Sequence, residues 1–441
     1  MSVNYLDIDP SMLCECGKTH TASLDKIIIE NGAVNKVANV IKEYGAKKAF
    51  VVADVNTFKA AGEQVVKNLE SNGIAYSKYV FNDTALEPDE KAVGSVFMRF
   101  DNSCDVVVAV GSGVINDISK ILANVTNKTY IIVATAPSMD GYASATSSMA
   151  RDGVKVSINS KCPDAIICDI DIVKNAPMKM LQAGLGDMLA KYVGVCEWRI
   201  ANVISGEYYC ERIAKLVRTA LKKCVDNASG LLKRDDAAVK AVFEGLVICG
   251  VAMTYAGVSR PASGGEHYVS HVWDMRALEF GLPFDLHGIQ CAVATLYMSK
   301  LYHTLKTITP DKQKALDYVN SFSFDVWSGE LRALLGSAAE SMIALEQKEQ
   351  KYNTELHKPR LDSIINNWNE IVKIIDTEMP TYEWLDKLFD TIGAPKTAKE
   401  IGVDDTNLGL VFKATKDIRD KYVLSRLVWD LGVIDDFANM L

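Results

Sequence analysis

Between residues 25 and 170 the chain alternates two hydrophobic periods, and that alternation narrows the fold more than any other feature. KIIIE, KAFVVAD, IAYSKYVF, DVVVAVGSG and TYIIVATAP are short, apolar and rich in β-branched residues, which predicts strands. AVNKVANVIKEYG, FKAAGEQVVKNLESNG and DEKAVGSVFMRF carry apolar residues at helical spacing, two of them closing near a glycine suited to a helix stop. Strands alternating with helices imply a mainly parallel sheet with helices on both faces. Beyond about residue 175 the segments become long, helical in period and poor in β-branched runs. Pro177, in NAPMKM, marks the expected boundary. The fold class expected is an α/β N-terminal nucleotide-binding domain over 1–175, then an all-α C-terminal domain over 176–441, with ligands in the cleft between them.

Bulk properties exclude several functions. A formal charge of −8 argues against nucleic acid or an anionic membrane as main partner, and leaves room for a small anionic substrate in a local basic pocket. No stretch approaches the roughly 18 unbroken apolar residues of a membrane span, and MSVNYLDIDPSM lacks the pattern of a signal peptide. Ten dispersed cysteines, several inside apolar segments such as AIICDI, fit reduced thiols better than a disulfide framework. The expectation is a soluble cytoplasmic protein.

Two turns suit a nucleotide. In DVVVAVGSGVINDISK, Gly111 and Gly113 let the backbone pass close to a ligand, and the following helix offers unpaired N–H groups to a pyrophosphate. Asn116 stands where GxGxxG has its third glycine, so the dinucleotide fingerprint is incomplete. Glycines also end strands without binding anything, and Asp117 and Lys120 read equally well as solvated first-turn residues. After the next strand, TAPSMDGYAS concentrates Thr135, Ser138, Asp140, Tyr142 and Ser144 where ligands bind open α/β sheets. Those groups can hold ribose, phosphate or substrate hydroxyls, or serve only as turn chemistry.

Three of the six histidines lie within one 21-residue stretch, as His267, His271 and His287. His267 and His271 are four apart, on one face of a helix, where two imidazoles can converge on one ion or ligand. Asp187 stands upstream in GLGDMLAKYVG, at the expected start of an apolar-periodic segment. Imidazoles with a carboxylate are a common ligand set for a catalytic divalent metal, although histidines also cap helices or pair with surface acids. CECGKTH places Cys14, Cys16 and His20 together, either a second metal site short of a fourth ligand or a turn with buried thiols.

GSGVINDISK, TAPSMDGYAS, GLGDMLAKY, SGGEHYVSH and the LHG of His287, in this order, resemble the metal-dependent sn-glycerol-1-phosphate dehydrogenases. That family sits within the superfamily of iron-containing alcohol dehydrogenases, glycerol dehydrogenases and dehydroquinate synthases. SMDGYAS and SGxEHxxSH are the specific strings, and the similarity runs from about residue 20 to about residue 300. The tail beyond about residue 305 resembles the longer bacterial branch and carries no assignable motif.

The resemblance implies a dehydroquinate synthase-like fold and reversible reduction of dihydroxyacetone phosphate to glycerol 1-phosphate with NAD or NADP, a step toward phospholipids. It implies one divalent metal (zinc, nickel or iron) on Asp187, His267 and His287. His271 and Asp140 are expected to contact substrate, as is Asp187. Gly111 and the segment Gly113, Val114, Ile115, Asn116 and Asp117, with Thr135, Ser138 and Ser144, match the cofactor site. Asp54, ending KAFVVAD, is expected at the adenosine ribose, where an acid favours NAD. Arg260 and Lys191 are open as phosphate partners or as ordinary surface charges. A homo-oligomer is compatible with this surface. Glycerol dehydrogenase and a dehydroquinate-synthase-like lyase are the competing readings.

Overall fold

The six-stranded sheet runs in the order β1-β8-β5-β4-β2-β3, every neighbouring pair parallel. Its strands are β1 (Lys26–Glu30), β2 (Lys48–Asp54), β3 (Ala75–Phe81), β4 (Val106–Gly111), β5 (Thr129–Ala134) and β8 (Ala165–Asp169). They belong to a computed structural model that describes residues 13–21, 24–83, 86–151 and 154–441; MSVNYLDIDPSM lies outside them. β4 and β8 are buried at every position, as strands covered on both faces must be, which is why VVVAVG and AIICD show no polar alternation. β3, at an edge, keeps Tyr76, Lys78 and Tyr79 partly or fully exposed.

The five expected strands are all present, and three more were not anticipated. β6 (Thr146–Arg151) and β7 (Val154–Asn159) form a separate antiparallel pair with Thr146 opposite Asn159. TSSMAR is too polar to announce a strand, and it reads as a continuation of the hydroxyl-rich loop. β8 is the cysteine-bearing run AIICD, apolar throughout and therefore without a period of its own.

The strand order reverses between β2 and β4: β2 leads outward to β3, whereas β4 leads the other way to β5 and β8. Ligands of open α/β sheets bind outside the carboxyl ends at such a reversal. Val52 pairs with Ala109, so Asp54 and Gly111, each two residues further on, end adjacent strands beside that crevice.

The chain divides into two compact units, the first running to Met188 and including Lys215–Val258, the second comprising Leu189–Ala214 and Ser259–Leu441. The helix Asp236–Ala256 is thus part of the sheet-bearing unit. It is the one helix among the described residues that is long and apolar enough to cross a membrane, and most of its apolar window is buried as core. The second unit is helical throughout its described length. Its C-terminal part, without motifs in sequence, closes around a buried ionic cluster. Arg426 donates to Glu346 (2.9 Å) and Asp417 (2.8 Å), Tyr352 and Trp327 also donate to Asp417, and Phe322 stacks on Tyr352 at 4.7 Å.

Candidate functional site

In the first unit, β4 ends at Gly111 and the helix Gly113–Thr126 starts two residues later. A Cβ at Gly111 would lie 2.5 Å from Ile115 Cβ, so the turn itself demands glycine there. Gly113 is different: its nearest neighbour would be Met139 Cγ at an ordinary 3.5 Å. Val114 is half-buried, and Ile115 and Asn116 are buried. The Asn116 side chain is engaged internally, donating to Gly141 O (3.3 Å) and accepting from Tyr130 OH (2.9 Å). Thr135 N–H donates to Gly111 O at 3.1 Å, joining the two turns directly. Burial pushes the Asp117 carboxyl up to about 6, against the pull of Lys120.

Lys120 is not a solvated first-turn residue. It is fully buried, and its ammonium donates to Gly141 O, Ser144 Oγ (3.0 Å) and Thr146 O (3.1 Å). Burial holds it below the usual lysine range, although Asp117, 3.9 Å away, pulls the other way. One cation thus gathers the oxygens of the loop that carries Ser138, Asp140 and Ser144. Ser144 is engaged in the same knot, and Ser138 is buried nearby in sequence.

Two helices press that loop into place. Gly184, on the helix Met178–Leu189, sits so close to the loop that an added Cβ would fall 1.7 Å from Pro137 O. Gly250, on Asp236–Ala256, would put a Cβ 2.9 Å from Asp140 O. One turn after Gly184, Asp187 Oδ2 accepts from Asp140 N–H at 2.9 Å. Asp187 is completely buried and lies near the end of its helix, not at its start as the periodicity suggested. Asp54 caps the short helix Val55–Thr57, accepting from Asn56 N–H (2.8 Å) and Thr57 N–H (2.9 Å).

The second unit holds the histidines. His267 and His271 lie on the helix Gly265–Phe280, and His287 opens the helix His287–Leu305. The His267 and His287 rings stand 5.0 Å apart, and His271 stacks on His287 at 5.9 Å. Both His267 and His287 have their Nδ1 assigned by the surroundings. His267 Nδ1–H donates to Glu266 Oε1 at 2.6 Å. Ser270 donates its own hydroxyl proton to Gln290 Oε1 (2.7 Å), so at 3.0 Å it accepts from His287 Nδ1–H. Gln290 is oriented by its amide donating to Asp274 and to Asp285 O, both at 3.1 Å. Each ring therefore carries its lone pair on Nε2, the arrangement that outer-sphere carboxylates and hydroxyls impose on metal-binding histidines.

Behind His267 stand two buried carboxylates. Glu266 also accepts from Gly264 N–H, and Glu197 accepts from Gly265 N–H (2.8 Å), Leu424 N–H (2.9 Å) and Tyr302 OH (3.0 Å). Burial, together with the neighbouring Glu266, pushes Glu197 up to about 7. Cys291, one turn after His287, brings its sulfur 3.5 Å from His287 Nε2. Burial pushes that thiol up, but His267 and His287 outweigh it and hold it below the ordinary thiol value.

Arg260 is neither a surface charge nor turned toward a phosphate. It is buried, its guanidinium paired with Glu207 and donating to Tyr422 O at 3.0 Å. Lys191 is also buried. Sequence reasoning missed Glu266, Ser270, Gln290 and Cys291, although a signal was present. The first two stand inside SGGEHYVSH, and the last two follow His287 by three and four residues. Glu197 had no local signal.

The family profile of the iron-containing alcohol dehydrogenases matches residues 28–177. A glycerol-1-phosphate dehydrogenase [NAD(P)+] of Geobacillus thermodenitrificans is 30% identical over 354 residues, 78% of this chain and 88% of that protein. The chain belongs to the glycerol-1-phosphate dehydrogenase family. Another enzyme of that name, from Halalkalibacterium halodurans, is 33% identical over 293 residues, 66% of this chain and 73% of its own. The fold is that of the iron-containing dehydrogenases. The structure of a probable glycerol dehydrogenase from Sinorhizobium meliloti covers 95% of this chain and 98% of its own at a TM-score of 0.61 and 17% identity.

Proposed function

We propose that this chain reduces dihydroxyacetone phosphate to sn-glycerol 1-phosphate with NADH or NADPH, using one divalent metal. The observation that carries the reading is the similarity, at 30% identity over most of both chains, to an enzyme of that name. The histidines of the second unit support a metal independently, as two imidazoles with their Nδ1 protons fixed. Asp187, His267 and His287 would hold the ion, and zinc, nickel or iron each suits two nitrogens and an oxygen. When bound, the metal supplies positive charge to the ketone oxygen.

The residues of the chain do the rest. Glu266 and Ser270 fix the Nδ1 protons of the two imidazoles, so that each ring presents its Nε2 lone pair. His271, on the face it shares with His267, holds a substrate oxygen or passes it a proton as the C2 carbonyl becomes an alcohol. Asp140 orients a substrate hydroxyl through its side chain while its backbone is tied to Asp187; its charge keeps the phosphate elsewhere. The N–H groups opening Gly113–Thr126 receive the cofactor pyrophosphate. Gly113 supports this, because nothing in the protein around it requires a glycine. Asp54 takes the adenosine ribose at the crevice between β2 and β4, which favours NAD. Thr135, Ser138 and Ser144 line the same site. When bound, the nicotinamide would supply the hydride for C2, and the protein's part is orientation.

The reading also includes a cytoplasmic location, supported by ten cysteines outside any disulfide, which suit a reducing compartment, and association into a homo-oligomer. The test is NADH oxidation by metal-reconstituted protein with dihydroxyacetone phosphate beside dihydroxyacetone. Turnover of the phosphorylated ketone alone, giving a product that a glycerol-3-phosphate-specific enzyme cannot consume, is expected. Preference for dihydroxyacetone would make it a glycerol dehydrogenase. No turnover with zinc, nickel or iron and either cofactor would overturn the reading.

A further inference from the structure

We propose that Cys14, Cys16 and His20 hold a second metal ion, a structural zinc with no part in hydride transfer. The three side chains offer ligand atoms that all lie within 4.8 Å of one another. A tight turn brings them together: Cys14 N–H donates to Lys18 O (2.9 Å) and Gly17 N–H to Cys14 O (2.8 Å). Gly17 takes a φ of 82°, a left-handed conformation that a side chain at this position would strain.

The histidine is set up as a ligand. His20 Nδ1 lies 2.9 Å from Tyr255 O. A carbonyl only accepts, so Nδ1 carries the proton and the lone pair is on Nε2. Nε2 in turn lies 3.3 Å from Cys16 Sγ. Zinc bound tetrahedrally, about 2.3 Å from sulfur and about 2.0 Å from nitrogen, places those two atoms about 3.5 Å apart. The turn is within a few tenths of an ångström of that bite. A simple S–H···N hydrogen bond would explain the Cys16–His20 approach but not the convergence of Cys14 as well.

Charge and softness agree. Cys14 and His20 are buried, only 7% and 2% exposed. Two thiolates and a neutral imidazole cancel the charge of the dication, and a third thiolate would leave only −1, so the assembled site suits burial where isolated thiolates would not. Thiolates select zinc over magnesium or calcium. A structural zinc takes four donors, and the fourth is found by replacing each remaining cysteine with serine in turn.

The site stands or falls independently of the reaction assigned above. The experiment is metal analysis of the full chain loaded with zinc, and the absorption spectrum of the cobalt-loaded protein. Two ions per chain are expected in the wild type. In a His267→Ala/His287→Ala variant one ion should remain, with a sulfur-to-cobalt charge-transfer band in the near ultraviolet. Adding Cys14→Ser and Cys16→Ser to that variant should remove both ion and band. If the added serines prevent folding, the counts in the wild type and in the histidine variant still decide. No ion in the histidine variant, or a band that survives the serines, would overturn the proposal; a single ion in the wild type that the histidine variant retains would uphold it and count against the catalytic metal instead.

Discussion

Replacing Gly184 by alanine adds one methyl group where its helix packs against the loop that carries Ser138, Asp140 and Ser144. The new Cβ would lie 1.7 Å from Pro137 O, a backbone atom, with Val242 Cγ1 at 3.0 Å on another side. Real Cβ contacts essentially never fall below 3.0 Å, so helix and loop must part by about 1.3 Å before the clash is merely tight. Overpacking of this kind costs about 1–3 kcal/mol of stability. The loop moved is the one bearing Ser138, Asp140 and Ser144, and Asp187 is one turn further along the helix that moves it. A displacement near 1 Å in groups that position reactants costs roughly 10²-fold in rate. The assay is kcat/KM with dihydroxyacetone phosphate, together with the thermal midpoint. Gly94→Ala is the control: it sits in the helix Glu90–Phe97 with nothing within 4 Å, and should stabilise by about 0.4–1 kcal/mol. If Gly184→Ala behaved like Gly94→Ala in both measurements, the argument that this glycine sets the loop position would be wrong.

Glu266→Gln removes the charge that accepts the His267 Nδ1 proton, so metal affinity should fall about 10–100-fold, measured by competition with a chelator; unchanged affinity would contradict the role. Glu197, with its folded pKa near 7 against 4.5 for the ordinary group, favours the folded state only while protonated. Its contribution is intact below about pH 4.5 and declines by about 3 kcal/mol as the pH rises to 7. Glu197→Gln should flatten that part of the stability profile in urea melts, and parallel profiles would refute it. Lys120→Met leaves the Gly141, Ser144 and Thr146 oxygens without their shared donor and should cost about 3–5 kcal/mol in denaturant unfolding, with weaker NADH binding; a loss under about 1 kcal/mol would mean the knot is dispensable.

Much of this protein could be read locally. KAFVVAD and DVVVAVGSG declared themselves by β-branched runs, and the four-residue spacing of His267 and His271 put them on one helical face. Where the signal was weak, the elements were missed. TSSMAR is polar enough to pass for loop until it pairs with VKVSIN, and AIICD is uniformly apolar because both faces of the sheet are covered there. Asp187 opens an apolar-periodic run in the sequence yet lies near the end of the helix Met178–Leu189, and Gly184, on the same helix, meets Pro137.

The motif strings determined which chemistry the chain carries, because metal donors, glycine turns and hydroxyl-rich loops are properties of residue type and short spacing. What each side chain faces was decided only by the tertiary structure. Lys120 reads as a surface cation until the fold surrounds it with three oxygens, and Arg260 reads the same way until Glu207, 53 residues away, pairs with it. Glu197 reaches the backbone of the histidine helix from 68 residues upstream. Such partners come together through packing of whole elements, and periodicity over a few residues contains no record of which elements will pack.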